Sequence, residues 1–312
     1  MGFDLQGHRG ARGLAPENTL PAFTKAMEIG VTTLELDIAV TRDGAVVVAH
    51  DRRLNPDITR DKDGAWLRAP TRTVRSLSLP EIKEFDVGRI DPASDYHKRF
   101  PDQHGSDGLP MPTLEEVFAL VHRSRYTSLR FNIETKLSPL HPDDTPEPLE
   151  FVSAVLDAIR AARLVPRVTI QSFDWRTLRH ARMLESEISV SYLSTQQSPG
   201  ATIASGHESP WTDGVHFSVH GSVPRMIAAA ASKVSSNTKG IVWSPHFADI
   251  TEALLEEAHA LQISVLPWTI NEPVAIARAI ALGVDGLITD YPDRARAVMT
   301  RLGIPLPESP AP

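Results

Sequence analysis

The chain has 312 residues, of which 41% are hydrophobic and 23% charged, a balance typical of a globular protein that buries a large core. Lys and Arg number 32 against 39 Asp and Glu, and the resulting formal charge of −7 argues against a nucleic-acid partner. The chain has no cysteine, which excludes disulfides and thiolate catalysis. No apolar run reaches the roughly 18 residues of a membrane-spanning helix, so no membrane span is expected.

The first residues, MGFDLQG, contain neither the basic region nor the apolar core of an export signal. Two alternatives follow from this: a cytoplasmic protein, or a periplasmic or secreted protein from which a signal peptide has been removed. Oligomeric state leaves no signature in the sequence.

Short apolar, β-branched runs alternate with stretches of helical period, the pattern of repeated βα units. The predicted strands are 3–8, 32–38, 128–134, 167–172, 187–193, 239–243, 262–268 and 285–289. The predicted helices are 18–29, 113–124, 148–163, 174–185, 223–234, 249–261, 272–282 and 292–302. Eight strands separated by helices favour an α/β fold, the closed TIM (β/α)8 barrel, over an open sheet.

Several helix ends carry capping signals. Asn18 precedes the first helical stretch, and Thr113 with Glu116 three residues later forms a capping-box pattern. Gly30 and Gly283 follow the last periodic residues of their helices, as C-terminal caps do.

Two segments interrupt the alternation. Residues 51–112 are rich in Pro, Asp, Arg and Gly and are too long for an ordinary βα loop, so we expect an insertion after the second strand that packs over the barrel mouth. Residues 194–222 predict a long loop with some ordered structure. One domain is therefore expected over residues 1–304, insertion included, followed by a disordered tail at 305–312.

Carboxylates gather at the ends of two predicted strands. Glu35 and Asp37 in LELDI point to the same side because strand side chains alternate, and Glu134 in FNIETK ends the third strand. Buried carboxylates need compensation, and three oxygen donors without histidine or thiol suit Mg²⁺ or Ca²⁺ better than zinc. These residues are called the acidic trio below. The alternative is that they form buried salt bridges with Arg9 or Lys136.

Two histidines lie beside these strand ends. His8 ends the first strand, and His50 ends AVVVAHD, the return arm of a hairpin that turns at Asp43 and Gly44. A lone histidine at a strand end is more often structural than catalytic. Two of them next to an acidic trio predict acid–base catalysis on an anionic ester, because one ring can accept a proton while the other donates one.

Arg9 and Lys136 are the predicted phosphate contacts, since a guanidinium fork and an ammonium both suit phosphoryl oxygens. Glu17 and Asn18, in the turn APENT, are expected to orient Arg9 or the first helix. For Asn18 a plain N-cap role is the alternative interpretation.

Later strand ends contribute candidates for a substrate pocket. Gln171, Phe173 and Trp268 are predicted to line it, although an aromatic side chain at a strand end is equally often part of the packing. Asp290, at the end of the last strand, is interpreted as structural.

Taken together, these motifs closely resemble the glycerophosphodiester phosphodiesterase family. The matching pieces run in order between residues 8 and 292: HRGARGLAPENTLPAF, ELDIAVTRDGAVVVAHD, MPTLEEVF, NIETK, QSFDW, PWTIN and GVDGLITDYP. The resemblance implies a TIM barrel with an insertion after the second strand. It also implies hydrolysis of glycerophosphodiesters, such as glycerophosphocholine or glycerophosphoethanolamine, to sn-glycerol 3-phosphate and an alcohol.

The same resemblance implies a role for each site residue. His8 and His50 would be the acid–base pair, the acidic trio would bind Mg²⁺ or Ca²⁺, and Arg9 and Lys136 would contact the phosphate.

Two other functions remain open. A phospholipase D-like phosphodiesterase of the same barrel class would release a cyclic phosphate, and an exposed apolar rim on the insertion would favour it. A non-catalytic ligand-binding barrel would be favoured by the loss of a histidine or of an acid of the trio. The insertion is polar, however, and both histidines and all three acids are present.

Overall fold

A computed structural model describes residues 2–124, 126–204, 208–235 and 239–308. The strands of this part of the chain are β1 (Asp4–Gly7), β2 (Thr33–Val40), β3 (Val46–Val48), β4 (Arg130–Thr135), β5 (Val168–Ser172), β6 (Ser189–Ser194), β7 (Ile241–Pro245), β8 (Ser264–Val265) and β9 (Gly286–Thr289). Parallel pairing follows the order β8-β7-β6-β5-β4-β2-β1-β9, while β3 pairs antiparallel with β2.

Backbone hydrogen bonds join the two ends of this sheet. The amide of Asp285 donates to Val265 O at 3.0 Å, and the amide of Ile288 donates to Pro267 O at 2.9 Å. The eight parallel strands thus form the predicted TIM barrel. β8 is shorter than the predicted 262–268, in part because Pro267 has no N–H to extend the ladder.

Helices surround the barrel. In the described ranges they are α1 (Leu20–Ile29), α2 (Leu79–Ile82), α3 (Leu114–Arg123), α4 (Pro148–Ala161), α5 (Trp175–Leu184), α6 (Phe217–His220), α7 (Val223–Ser232), α8 (Glu252–Ala260), α9 (Pro273–Leu282) and α10 (Pro292–Arg301). All eight predicted helices occur, whereas the short α2 and α6 lie in the two irregular segments. No helix of the described residues has both the length and the apolar character needed to cross a bilayer.

Most of the capping predictions are confirmed. Thr113 Oγ1 accepts from the Glu116 amide at 3.2 Å, and the Glu116 carboxylate accepts from the Thr113 amide at 2.8 Å. Gly30 and Gly283 adopt φ values of 91° and 95° at the ends of α1 and α9, the left-handed conformation that favours glycine.

The N-cap predicted at Asn18 is wrong. Thr19 caps α1, with its Oγ1 accepting from the Ala22 amide at 3.3 Å. Asn18 has a φ of 56°, which asparagine tolerates but which differs from the extended backbone of an N-cap. Its side chain is directed instead to Asp37 in the barrel.

Residues 51–112 follow the β2–β3 hairpin and pack on it. Leu77 and Ile82 of this insertion form a small apolar cluster with Val47 of the hairpin. Farther along, Tyr96 and Arg99 line a cavity at the carboxyl ends of the barrel strands. The insertion therefore supplies part of the wall above the barrel.

The predicted tail has two parts. Residues 305–308 contain neither helix nor strand, and residues 309–312 lie outside the described residues.

The barrel interior below its mouth is polar. The side-chain amide of Asn132 donates to Gln6 Oε1 at 2.8 Å and to Gln171 Oε1 at 3.0 Å. The neighbours of Asn132 on β4, Phe131 and Ile133, point outward and are fully buried in the apolar core. Alternation along the strands thus separates an apolar layer under the helices from a hydrogen-bonded polar axis.

Candidate active site

A cavity of about 530 Å³, called the catalytic cavity below, opens at the carboxyl ends of the parallel strands. Its lining includes six of the seven residues predicted to act in catalysis, cation binding or phosphate binding: His8, Arg9, Glu35, His50, Glu134 and Lys136. Asp37, the seventh, is fully buried and contacts both Arg9 and Lys136. The fold therefore brings the two histidines, the acidic trio and the two predicted phosphate contacts into one site.

The acidic trio converges because of strand register. Asp37 on β2 lies opposite Glu134 on β4, and Glu35 lies two residues earlier on the same face of β2. One carboxylate oxygen from each residue lies within 4.8 Å of the others. Asp37 Oδ1 is buried and has no hydrogen-bond partner. A buried carboxylate oxygen without a hydrogen bond, next to two further carboxylates, is well placed to coordinate a cation.

Crowding of like charges changes the ionisation of these acids. Burial, with the nearby charges of Asp37 and Glu134, raises the pKa of Glu35 well above its usual value. Burial also raises the pKa of Glu134 to about 7 against the opposing charge of Lys136. For Asp37, burial is outweighed by positive charge, chiefly that of Lys136, so its pKa is lowered.

Salt bridges compensate only part of the negative charge. Lys136 Nζ lies 2.6 Å from Glu134 Oε1 and 3.6 Å from Asp37 Oδ1. Arg9 Nε lies 3.2 Å from Asp37 Oδ2, and Arg9 Nη1 lies 2.6 Å from Glu17 Oε1. When all four are ionised, the trio and Glu17 carry four negative charges against the two positive charges of Arg9 and Lys136. A divalent ion would balance the difference, and the donor set, all oxygen, fits Mg²⁺ or Ca²⁺.

Neighbouring side chains hold the acids in place. Asn18 Nδ2 donates to Asp37 Oδ2 at 2.9 Å, and Gln171 Nε2 donates to Glu35 Oε1 at 2.7 Å. The amide of Arg9 donates to Glu35 Oε2 at 2.9 Å. Gln171 lines the catalytic cavity as predicted, but it is 1% exposed and its side-chain amide is bonded to Glu35 and Asn132.

His8 is oriented by Asp290 at the end of the last strand. Its Nδ1 lies 2.7 Å from Asp290 Oδ1, and Arg12 donates to the same carboxylate at 2.7 and 3.1 Å. Burial alone would raise the pKa of Asp290, but the Arg12 guanidinium holds this pKa well below its usual range. The proton between Asp290 and His8 therefore lies on the His8 ring. The other nitrogen, Nε2, lies 3.9 Å from Glu35 Oε2 on the cavity side.

Burial and Arg12 lower the pKa of His8 to about 4, so the ring is neutral at pH 7 and its Nε2 can accept a proton.

Sequence reasoning missed the role of Asp290 and did not single out Arg12. β9 pairs with β1 through Gly7 opposite Thr289, which brings Asp290 level with His8. The sequence feature that could have indicated this role is a carboxylate one residue after the last strand, because the last strand of a closed barrel pairs with the first.

His50 is also held by a carboxylate. Its Nδ1 lies 3.0 Å from Asp51 Oδ1, and Asn55 donates to Asp51 Oδ2 at 2.9 Å. Desolvation in the cleft, followed by the charges of Arg9 and Lys136, lowers the pKa of His50. Each histidine therefore has Nδ1 engaged by a carboxylate and Nε2 left for other partners.

Aromatic side chains form another part of the wall. Phe173 and Trp268 line the catalytic cavity, as predicted, and their ring centroids are 5.5 Å apart. The ring centroid of Phe173 also lies 6.4 Å from that of Trp211. Trp211 belongs to the irregular segment 194–222, where no sequence pattern indicated a pocket residue.

The chain is similar to known proteins over nearly its whole length. The family model described as the glycerophosphoryl diester phosphodiesterase family matches residues 8–294. A glycerophosphodiester phosphodiesterase from Caldanaerobacter subterraneus subsp. tengcongensis is 28% identical over 287 residues, which cover 92% of this chain and 93% of the relative. One from Bacillus altitudinis is 28% identical over 290 residues, which cover 92% and 94%.

Solved structures of glycerophosphodiester phosphodiesterases are also similar to this chain. The crystal structure of a candidate glycerophosphoryl diester phosphodiesterase from Silicibacter pomeroyi is 35% identical with a TM-score of 0.83, covering 98% of this chain and 95% of that one. An Oleispira antarctica phosphodiesterase in complex with the product sn-glycerol-3-phosphate shares the fold, with a TM-score of 0.67, 20% identity, and coverage of 95% and 96%. This chain belongs to the glycerophosphoryl diester phosphodiesterase family and is an enzyme of that class, a phosphoric diester hydrolase.

Proposed function

We propose that the enzyme hydrolyses glycerophosphodiesters to sn-glycerol 3-phosphate and a free alcohol, with the acidic trio holding Mg²⁺ or Ca²⁺. One observation carries this proposal: the carboxylates of the acidic trio offer oxygens within 4.8 Å of one another, and two of these acids, Glu35 and Glu134, line the same cavity as the two histidines. The Oleispira antarctica phosphodiesterase, which shares the fold, binds sn-glycerol-3-phosphate as its product.

Arg9 and Lys136 would hold the phosphate. Both line the catalytic cavity beside the trio, where their positive charges would stabilise the phosphoryl charge that grows in the transition state. When bound, the divalent cation would neutralise further negative charge on the phosphoryl oxygens. Glu17, which is bonded to Arg9, would keep the guanidinium fork in position.

The two histidines would move the protons. Nε2 of one histidine takes the proton of the attacking oxygen as the new P–O bond forms, and protonated Nε2 of the other gives its proton to the departing alkoxide. Asp290 and Asp51 hold the rings through Nδ1 and stabilise the imidazolium state. The attacking oxygen belongs either to water or to the substrate's own 2-hydroxyl, and the second route passes through a cyclic phosphate that water then opens.

Chelation tests whether the reaction requires the cation. With glycerophosphocholine, glycerophosphoethanolamine and glycerophosphoglycerol as substrates, we expect EDTA to lower the rate by about 10²-fold or more, because the ion contributes several kcal/mol of charge stabilisation. Excess Mg²⁺ or Ca²⁺ should restore the rate and raise the thermal unfolding midpoint.

The products complete this test. Phosphorus NMR should show linear sn-glycerol 3-phosphate as the final product. Full activity in chelator would reject the cation, and a cyclic phosphate that accumulates as the end product would favour the phospholipase D-like alternative.

A further inference from the structure

A second cavity of about 630 Å³, called the outer cavity below, adjoins the catalytic cavity. The two share a wall formed by His50, Asp51, Asn55, Glu134, Lys136 and Phe173. This shared wall contains a catalytic histidine, an acid of the trio and a phosphate contact. A phosphodiester bound there would extend one of its two arms into each cavity.

Two arginines line the outer cavity and not the catalytic one. Arg53 Nη2 lies 2.8 Å from Asp144 Oδ1, and Arg53 Nη1 donates to Thr71 O at 3.0 Å. Arg52 Nη1 lies 3.8 Å from Asp144 Oδ2, and this buried nitrogen has no hydrogen-bond partner. One carboxylate thus faces two guanidinium groups, and one positive charge is left without compensation.

The carboxylates that line the rest of the outer cavity are already engaged by other side chains. Among the described residues, its only carboxylates are Asp51 and Glu134, which belong to the shared wall and are already bonded to His50 and Lys136. The remaining lining includes apolar side chains such as Leu137, Leu140 and Trp211. A cationic alcohol such as choline would therefore meet two guanidinium groups with no free acid opposite them.

We propose that the enzyme prefers glycerophosphodiesters whose alcohol carries a second anionic group, a phosphate or a carboxylate, and that Arg52 and Arg53 bind this group. A guanidinium fork matches the oxygens of either anion. The inference rests on the proposed hydrolysis of glycerophosphodiesters and names the substrate class that the same site selects.

A matched substrate pair tests this preference. Glycerophosphoinositol and glycerophosphoinositol 4-phosphate differ only in one phosphate on the alcohol. We expect kcat/KM of the wild type to be about tenfold or more higher for the phosphorylated substrate, the size typical of a hydrogen bond between charged groups. The Arg52→Gln, Arg53→Gln double variant should bring the ratio of the two kcat/KM values close to one.

Arg68→Gln is the matched control. Arg68 belongs to the same insertion, has a side chain 81% exposed, and lines neither cavity, so its substitution removes one positive charge from the insertion and should leave the ratio unchanged. A wild-type ratio of one or less, or a ratio unaltered in the double variant, would overturn the inference. If neither substrate were hydrolysed, the proposed function itself would fail, so the two failures are distinguishable.

Discussion

Replacing His8 or His50 by alanine is expected to lower kcat by a factor on the order of 10² to 10⁴ while the fold is kept. Each ring has Nδ1 engaged, by Asp290 at 2.7 Å and by Asp51 at 3.0 Å, which leaves Nε2 for the proton transfer that we propose. Steady-state kinetics on glycerophosphocholine measures the loss, and the thermal unfolding midpoint checks that the variants fold.

A second substrate separates the two roles. A p-nitrophenyl phosphodiester has a leaving group that departs without protonation, so the variant that lacks the general acid should recover most of its rate on that ester. The variant that lacks the general base should remain slow on both substrates. His97→Ala is the control, because His97 is exposed on the insertion and lines neither cavity. Wild-type turnover by both active-site variants would remove histidine from the mechanism.

Glu134→Gln is expected to abolish the effect of the cation without weakening the protein itself. In the wild type, Lys136 Nζ lies 2.6 Å from Glu134 Oε1, and a glutamine side chain keeps an oxygen that can accept from this ammonium group. The substitution removes one of the three like charges in the trio. We therefore expect kcat/KM to fall about 10²-fold or more, since the site loses several kcal/mol of charge stabilisation. In EDTA the unfolding midpoint of the variant should equal or exceed that of the wild type, because burial and repulsion raise the pKa of Glu134.

Differential scanning calorimetry in EDTA and in Mg²⁺ checks both halves of this prediction. The wild type should gain stability on addition of Mg²⁺, whereas Glu134→Gln should gain little. Glu115→Gln, which removes an exposed carboxylate from α3, should behave like the wild type in activity and in its response to Mg²⁺. A Glu134→Gln variant with normal activity and a normal Mg²⁺ response would exclude Glu134 as a ligand.

The parts of the site that follow from local alternation were predictable from the sequence. Glu35 and Asp37 lie two residues apart on β2, so any strand over LELDI places them on one face. The hairpin that ends at His50 was equally local, since the Asp43–Gly44 turn fixes the pairing of β2 with β3. The position of Glu134 opposite Asp37 required one further step, the pairing of β2 with β4.

Features that depend on distant parts of the chain were not predictable in the same way. Asp290 reaches His8 only because β9 pairs with β1 across the closed barrel. Trp211 reaches Phe173 from a segment without periodicity. Asn18 adopts a positive φ and contacts Asp37, whereas its sequence context suggested a helix cap.

Diffraction from crystals soaked with Mn²⁺ and sn-glycerol 3-phosphate tests the central claim most directly. The expected result is an anomalous peak enclosed by the carboxylates of Glu35, Asp37 and Glu134, with the phosphate beside Arg9 and Lys136 and within reach of both histidines. A strong anomalous peak elsewhere, together with a phosphate that contacts neither histidine, would contradict the account.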